Sequence, residues 1–199
     1  MSLQDLLPTL DPLTIVMLCA IFLFAGIVKG FLGIGLPAAA MGLLTLIIPP
    51  TEAISLLWLP ILFSNLFQFG RAPNKREIMR SYPWFAAALF GSIFLTSLFI
   101  NEYPTALLTV AIGVMMVIFS VNLLFGVTLP VGPGRGWQIG VGTLSGVLGG
   151  LSSIWSPPVA MYLIARNTSK EMFNGTTGFV FLVGCLPLGT GLVISGLIT

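Results

Sequence analysis

Long apolar runs broken by glycine and proline dominate the chain, and polar residues gather in a few short clusters between them. A helix needs about 20 largely apolar residues to cross a bilayer. Leu13 to Ile48 is apolar apart from Lys29, which is too long for one ordinary span. Its middle, Gly26-Ile-Val-Lys29-Gly30-Phe-Leu-Gly33-Ile-Gly35-Leu-Pro37, holds four glycines and then a proline. Glycine destabilises a helix interior, and proline fits the first turn of a new helix. The pattern predicts a helix to about Val28, an unwound Gly-rich bend, and a short second helix from near Pro37, ended by Pro49-Pro50. At 1.5 Å per residue, that second arm of roughly 12 residues reaches about 18 Å, the length of a re-entrant half-helix.

Thr51–Gly70 reads as the next span, with Thr51 as N-cap and Glu52 in the first turn, where the helix dipole favours an anion. A basic loop carries Arg71, Lys75, Arg76 and Arg80, opposed only by Glu77. Two more spans, about 82–100 and 104–125, are joined by a tight turn at Asn101-Glu102-Tyr103. Gly126–Gly136, with Arg135, is the longest predicted loop. A second broken stretch runs over 137–166 and a last span over about 171–194. Met1–Asp11 reads as a short interfacial helix limited by Pro8; it lacks the basic start of a signal peptide and is expected to be retained.

Composition fixes the solvent. Hydrophobic residues make up 56% and charged residues 7%, where a soluble domain carries about 25% charge. Most of the outer surface must therefore face lipid. There is no histidine, and Cys19 and Cys185 sit far apart in apolar runs, where both read as small buried hydrophobes. No enzyme chemistry, metal or cofactor is expected. A net charge of +2 leaves no footprint for nucleic acid.

Two segments resemble each other. Gly26-Ile-Val-Lys29-Gly30-Phe-Leu-Gly33 matches Gly142-Thr-Leu-Ser145-Gly146-Val-Leu-Gly149; after a four-residue insertion, Leu36-Pro37-Ala-Ala-Ala-Met41 matches Ser156-Pro157-Pro-Val-Ala-Met161. If each broken stretch is a hairpin that returns to its own side, three spans separate the copies, and the odd number inverts them. The basic cluster at 71–80 then lies in the cytoplasm with Arg135, Arg166 and Lys170, and the N-terminus lies outside, as the positive-inside rule asks. The expected fold is all-α: a polytopic protein of the cytoplasmic membrane built from inverted repeats, each beginning with a Gly/Pro-broken helical hairpin. Residues 1–125 form the first repeat (hairpin 13–48), and 126–199 form a loop and a partial second repeat (hairpin 137–166).

Inverted repeats of interrupted helices mark transporters. Helix starts near Pro37 and Pro157 carry unpaired backbone N–H groups and partial positive charge, the ingredients of an anion site. Gly30, Gly33, Gly35, Gly149 and Gly150 would let a ligand approach the backbone. Lys29 is either the countercharge of an anionic substrate or a side chain that snorkels to the interface. Ser152, Ser153 and Ser156 are hydrogen-bond donors to an oxyanion or local backbone caps. Asn65 and Thr176, with Gln68, Asn174 and Thr177, either line the site or bond between helices. Gly26xxxGly30 and Gly142xxxGly146 fit an unwound bend or close helix packing.

Ala25-Gly-Ile-Val-Lys-Gly-Phe-Leu-Gly-Ile-Gly35 with its downstream proline, and Gly142–Met161 with Ser156-Pro157-Pro158, resemble the TauE/SafE (TSUP) sulfite exporter family of bacterial membrane transporters. The resemblance implies transport of sulfite, sulfonates or other small organic anions. Members usually carry further membrane segments beyond the second broken helix. The expected partners are a small anionic substrate, the lipid bilayer and, as one open assembly, a second copy of the chain. A passive anion channel and a non-transporting membrane subunit stand as alternative functions.

The topology is checked by accessibility. Cysteines placed at Asn74 and Asn167 should label only from the cytoplasm and one at Gln4 only from outside. Asn167 and Gln4 labelling from the opposite sides would remove the inverted-repeat reading.

Overall fold

The computed structural model describes residues 11–126, 131–132 and 134–198; the expected helix over Met1–Asp11 lies, apart from Asp11, outside them. Among the described residues there are nine helices and no strand. They are α1 (Pro12–Leu32), α2 (Leu36–Leu44), α3 (Pro50–Gly70), α4 (Lys75–Ser81), α5 (Pro83–Leu98), α6 (Thr105–Phe125), α7 (Arg135–Ser152), α8 (Ser156–Ala165) and α9 (Lys170–Ile194). Four of them, α1, α3, α6 and α9, are long and apolar enough to cross a membrane; α4 and α5, bent by 71°, make a fifth candidate if taken as one span. The chain is an all-α, multi-pass membrane protein.

Local chemistry explains the helix ends. Asp11 caps α1 by accepting a hydrogen bond from the Thr14 N–H at 3.3 Å, and the Thr14 hydroxyl holds its carboxyl below the usual carboxylate range. Pro12 follows in the first turn, where its missing N–H leaves nothing unpaired. α1 stops at Gly33, which takes φ +74° and donates its N–H to the Lys29 carbonyl at 2.8 Å. Gly35, at φ +95°, then opens α2, with Pro37 in its first turn. The second bend repeats this turn without glycine: Ser153 takes φ +58° and donates to the Gly149 carbonyl at 2.7 Å.

Several boundaries differ from expectation. α1 continues four residues beyond Val28, so Lys29 and Gly30 are helical, and Gly149 and Gly150 likewise lie inside α7. A glycine costs a helix about 1 kcal/mol, whereas a backbone group left unpaired in hydrocarbon costs several. The helix therefore outlasts its glycines until a left-handed cap ends it. Thr51 is not a cap: Pro49 precedes the helix, Pro50 opens it, and the Thr51 carbonyl accepts from the Ser55 hydroxyl at 2.9 Å. Part of the basic loop is helical as α4, and Arg135 begins α7 instead of ending a loop. Cys185 is buried, but Cys19 is exposed on α1.

The bends also reset the repeat register. The left-handed caps at 33 and 153, the starts of α2 and α8 at 36 and 156, and the starts of α3 and α9 at 50 and 170 are each 120 residues apart. No insertion is needed. Gly26 and Gly30 pair with Gly146 and Gly150, and Lys29 pairs with Gly149, not Ser145.

Packing centres on α9, which lies against α3, α5 and α8, while α5 lies along α7. Trp155, Tyr162, Phe85 and Phe181 fill the middle, fully buried. The α5–α7 contact rests on glycines: a Cβ at Gly142 would stand 2.8 Å from the Phe85 carbonyl, and one at Gly146 2.8 Å from the Leu89 carbonyl. Gly146→Ala should therefore destabilise the protein by about 1–3 kcal/mol through overpacking, read as a lower Tm in detergent. Gly140→Ala, with nothing within 4 Å of the added Cβ, should leave stability unchanged or raise it by up to about 1 kcal/mol.

Candidate functional site

A cavity of about 550 Å³ opens beside the first bend, between the end of α1, the last turns of α3 and the start of α9. Its polar lining comes from Lys29, Ser64, Gln68, Arg71, Glu171 and Asn174. The Lys29 ammonium does not run to the helix end. It donates to the Ser64 hydroxyl at 3.1 Å and to the Asn65 Oδ1, about 10 Å along α3 from Arg71 at 1.5 Å per residue. Asn65 is buried and donates its amide nitrogen to the Ile61 carbonyl at 2.8 Å, which turns its oxygen to the cation. Both partners of the ammonium are neutral.

Gln68 builds the wall. Its Nε2 lies 3.0 Å from the Gly33 carbonyl, 2.9 Å from the Asn174 carbonyl and 3.0 Å from the Thr177 hydroxyl. Two backbone carbonyls at one end fix which end of the amide carries the hydrogens. A Cβ at Gly33 would push the Asn174 side-chain oxygen aside, and one at Gly35 would stand 2.8 Å from the Phe119 ring. Arg71 stacks on Phe67, its guanidinium carbon 4.1 Å from the ring centroid.

Of the residues expected at the site, Lys29, Gly30 and Gly33 line the cavity; Gly35 and Pro37 are buried behind it. Asn65 takes part through Lys29. Gly149, Gly150, Ser152, Ser153, Ser156, Pro157 and Thr176 are buried elsewhere and do not line it. Gly149 sits under Trp155, whose Cβ would be 2.8 Å from an added methyl. Ser152 is a local cap, donating to the Leu148 carbonyl at 2.7 Å and accepting from the Ile154 N–H at 3.1 Å. The hydroxyls of Ser153, Ser156 and Thr176 have no hydrogen-bond partner among the described residues.

The two bends do not meet in one pocket. The first touches α9 at Asn174; Trp155 of the second touches α9 at Phe181 and Gly184, 6.1 Å between ring centroids and 3.6 Å from a Cβ at Gly184. Those levels are seven to ten residues apart on α9, roughly 10–15 Å along its axis. Sequence reasoning misses Ser64, Arg71 and Glu171 as lining groups. Ser64, Gln68 and Arg71 carry a readable signal, since they recur at i, i+4 and i+7 on one face of α3.

No curated protein and no solved structure matches the chain significantly. The sulfite exporter TauE/SafE family matches it over residues 18–199, a range that takes in both bends and every residue lining the cavity. With nearly the whole chain covered, the protein belongs to the TauE/SafE sulfite exporter family of membrane transporters.

Proposed function

We propose that the protein is a secondary transporter of a small sulfur-containing or organic anion, sulfite or a sulfonate, with Lys29 as the countercharge of the bound substrate. The observation that carries the reading is the Lys29 ammonium at the cavity wall, held among the described residues by the neutral Ser64 and Asn65 side chains. An ammonium enclosed by neutral groups is costly without a counter-ion, and a substrate anion supplies one. Arg71 adds a second positive group and Glu171 one negative group, so the charged lining is net positive by one.

The cavity is lined at one end by Arg71, Ala72 and Pro73 beside the basic α4 segment. The positive-inside rule assigns that end to the cytoplasm and the N-terminus to the outside of the cell membrane. On that assignment the described conformation is open inward. Alternating access then needs the first bend to shift against α9, and Gln68 is the contact that such a shift must remake. The TauE/SafE family is a transporter family, and the proposed cycle contains no covalent step.

Purified protein in liposomes tests this with sulfite, sulfonates and carboxylates, each with and without a proton gradient. Coupled uptake of one class is expected. Flux that follows only the substrate's own gradient would make the protein a channel. Lys29→Gln should insert normally and lose about 1.5–3 kcal/mol of charge-assisted binding, roughly 10- to 150-fold in Kd. Unchanged anion affinity in calorimetry would leave Lys29 without a substrate role. Gly33→Val should impair transport more than Gly113→Val, because φ at Gly33 is +74° while Gly113 has open space around it.

A further inference from the structure

Acceptors outnumber donors around the end of Gln68. Its Nε2 lies 3.0 Å from the Gly33 carbonyl, 2.9 Å from the Asn174 carbonyl and 3.0 Å from the Thr177 hydroxyl, and an amide nitrogen has two hydrogens for these three. The Thr177 hydroxyl offers only a lone pair here, since its hydrogen goes to the Phe173 carbonyl at 2.9 Å or the Asn174 carbonyl at 3.1 Å. The Gly33 carbonyl has no helical donor, because Pro37, four residues on, lacks an N–H. The other end of the amide, Gln68 Oε1, is buried and has no hydrogen-bond partner among the described residues. The Asn174 side-chain oxygen also lies against Gly33.

Oxygens that converge with too few hydrogens between them suit a cation. Gly33 follows the C-terminal end of α1, where the helix dipole is negative, and such ends, with their unwound carbonyls, can hold ions in broken-helix transporters. The set contains no carboxylate, thiolate or imidazole, so nothing in it offsets two charges or favours a soft metal. A few neutral oxygens around the space of one amide nitrogen suit the smaller sodium ion better than potassium.

We infer that this seat binds a sodium ion in place of the Gln68 nitrogen, with the Gly33 and Asn174 carbonyls, the Thr177 hydroxyl and the Gln68 Oε1 as ligands. In the described conformation the amide nitrogen occupies the seat. In the loaded one Gln68 draws back and turns its oxygen to the ion, which then ties the bend to α9 as the amide did. Gln68 is three residues from Asn65 and four from Ser64, which hold the Lys29 ammonium, or about 5–6 Å along α3. At that range the ammonium repels a lone sodium, and an anion beside Lys29 removes the repulsion. Sodium and anion therefore raise each other's affinity by one common factor. This coupling rests on the transporter reading above; the seat does not.

The seat is tested with sodium alone, on the full chain in lipid nanodiscs without substrate. At constant ionic strength NaCl should raise Tm saturably, and KCl and choline chloride should not. In calorimetry Thr177→Val should weaken the sodium Kd by about 10-fold or more, and Thr177→Ser, which keeps the oxygen, should restore it. Thr190→Val, at an exposed position of α9, should leave Kd unchanged. In liposomes a sodium gradient should then drive sulfite uptake by the parent and not by Thr177→Val. A Tm rise that potassium or choline reproduces, a Kd unchanged in Thr177→Val, or an equal loss in Thr177→Ser would overturn the seat. Sodium binding with sulfite uptake indifferent to the sodium gradient would overturn the coupling. No anion uptake under a sodium or a proton gradient, with sodium still bound through Thr177, would remove the transporter reading and leave the seat standing.

Discussion

The carboxamide of Gln68 is the point on which the site turns. One nitrogen faces three acceptors from two distant parts of the chain: the Gly33 carbonyl in the first bend, and the Asn174 carbonyl and Thr177 hydroxyl on α9. It has two hydrogens for them, so the bonds are shared. This contact ties the bend to α3 and α9 at once. Fixing Gly33 fixes where α1 ends, and Lys29, whose carbonyl accepts the Gly33 N–H, is one turn back from that end. The ammonium then meets Ser64 and Asn65 because all three groups hang from helices that Gln68 holds in place.

The two halves use one backbone plan for opposite ends. The left-handed turn is made by Gly33 in one and Ser153 in the other. Where the first half has Lys29, Ser64, Asn65 and Gln68, the register gives the second Gly149, Gly184, Cys185 and Leu188. Trp155, 1% exposed, fills the space there, with Gly149 beneath it and Gly184 beside it. One half is polar and hollow, the other apolar and solid. The pair therefore carries a cationic cavity in one half, although its scaffold is repeated.

The spans, the two breaks and the membrane setting were legible in the sequence because hydropathy and helix punctuation are local signals. The exact end of α1 was not. Four glycines in ten residues offer several stopping points, and the choice falls at Gly33 because that glycine also meets Asn174, which is 141 positions away in the chain. The repeat register was misread for a related reason. Glycine triplets line up at a shorter offset, whereas the true equivalence follows a left-handed cap that a serine fills at 153. Lys29 stood out as the lone charge in its run. Its partners did not, since Ser64 and Asn65 look like ordinary polar residues of a span until the fold brings α1 beside α3.

That pairing has a consequence for biosynthesis. Ser64 and Asn65 follow Lys29 by 35 and 36 residues, which at translation rates of about 5–20 residues per second means a wait of roughly 2–7 s. During that time α1 has left the ribosome and its ammonium has no partner on α3. Lys29 lies three residues from the end of α1, close enough for its four-carbon stem to carry the charge to the headgroup region. The nascent helix can wait in the bilayer with its lysine at the interface, and the same side chain turns inward once α3 is made. On that course the interfacial and the buried positions of Lys29 would be successive stages in the life of one chain.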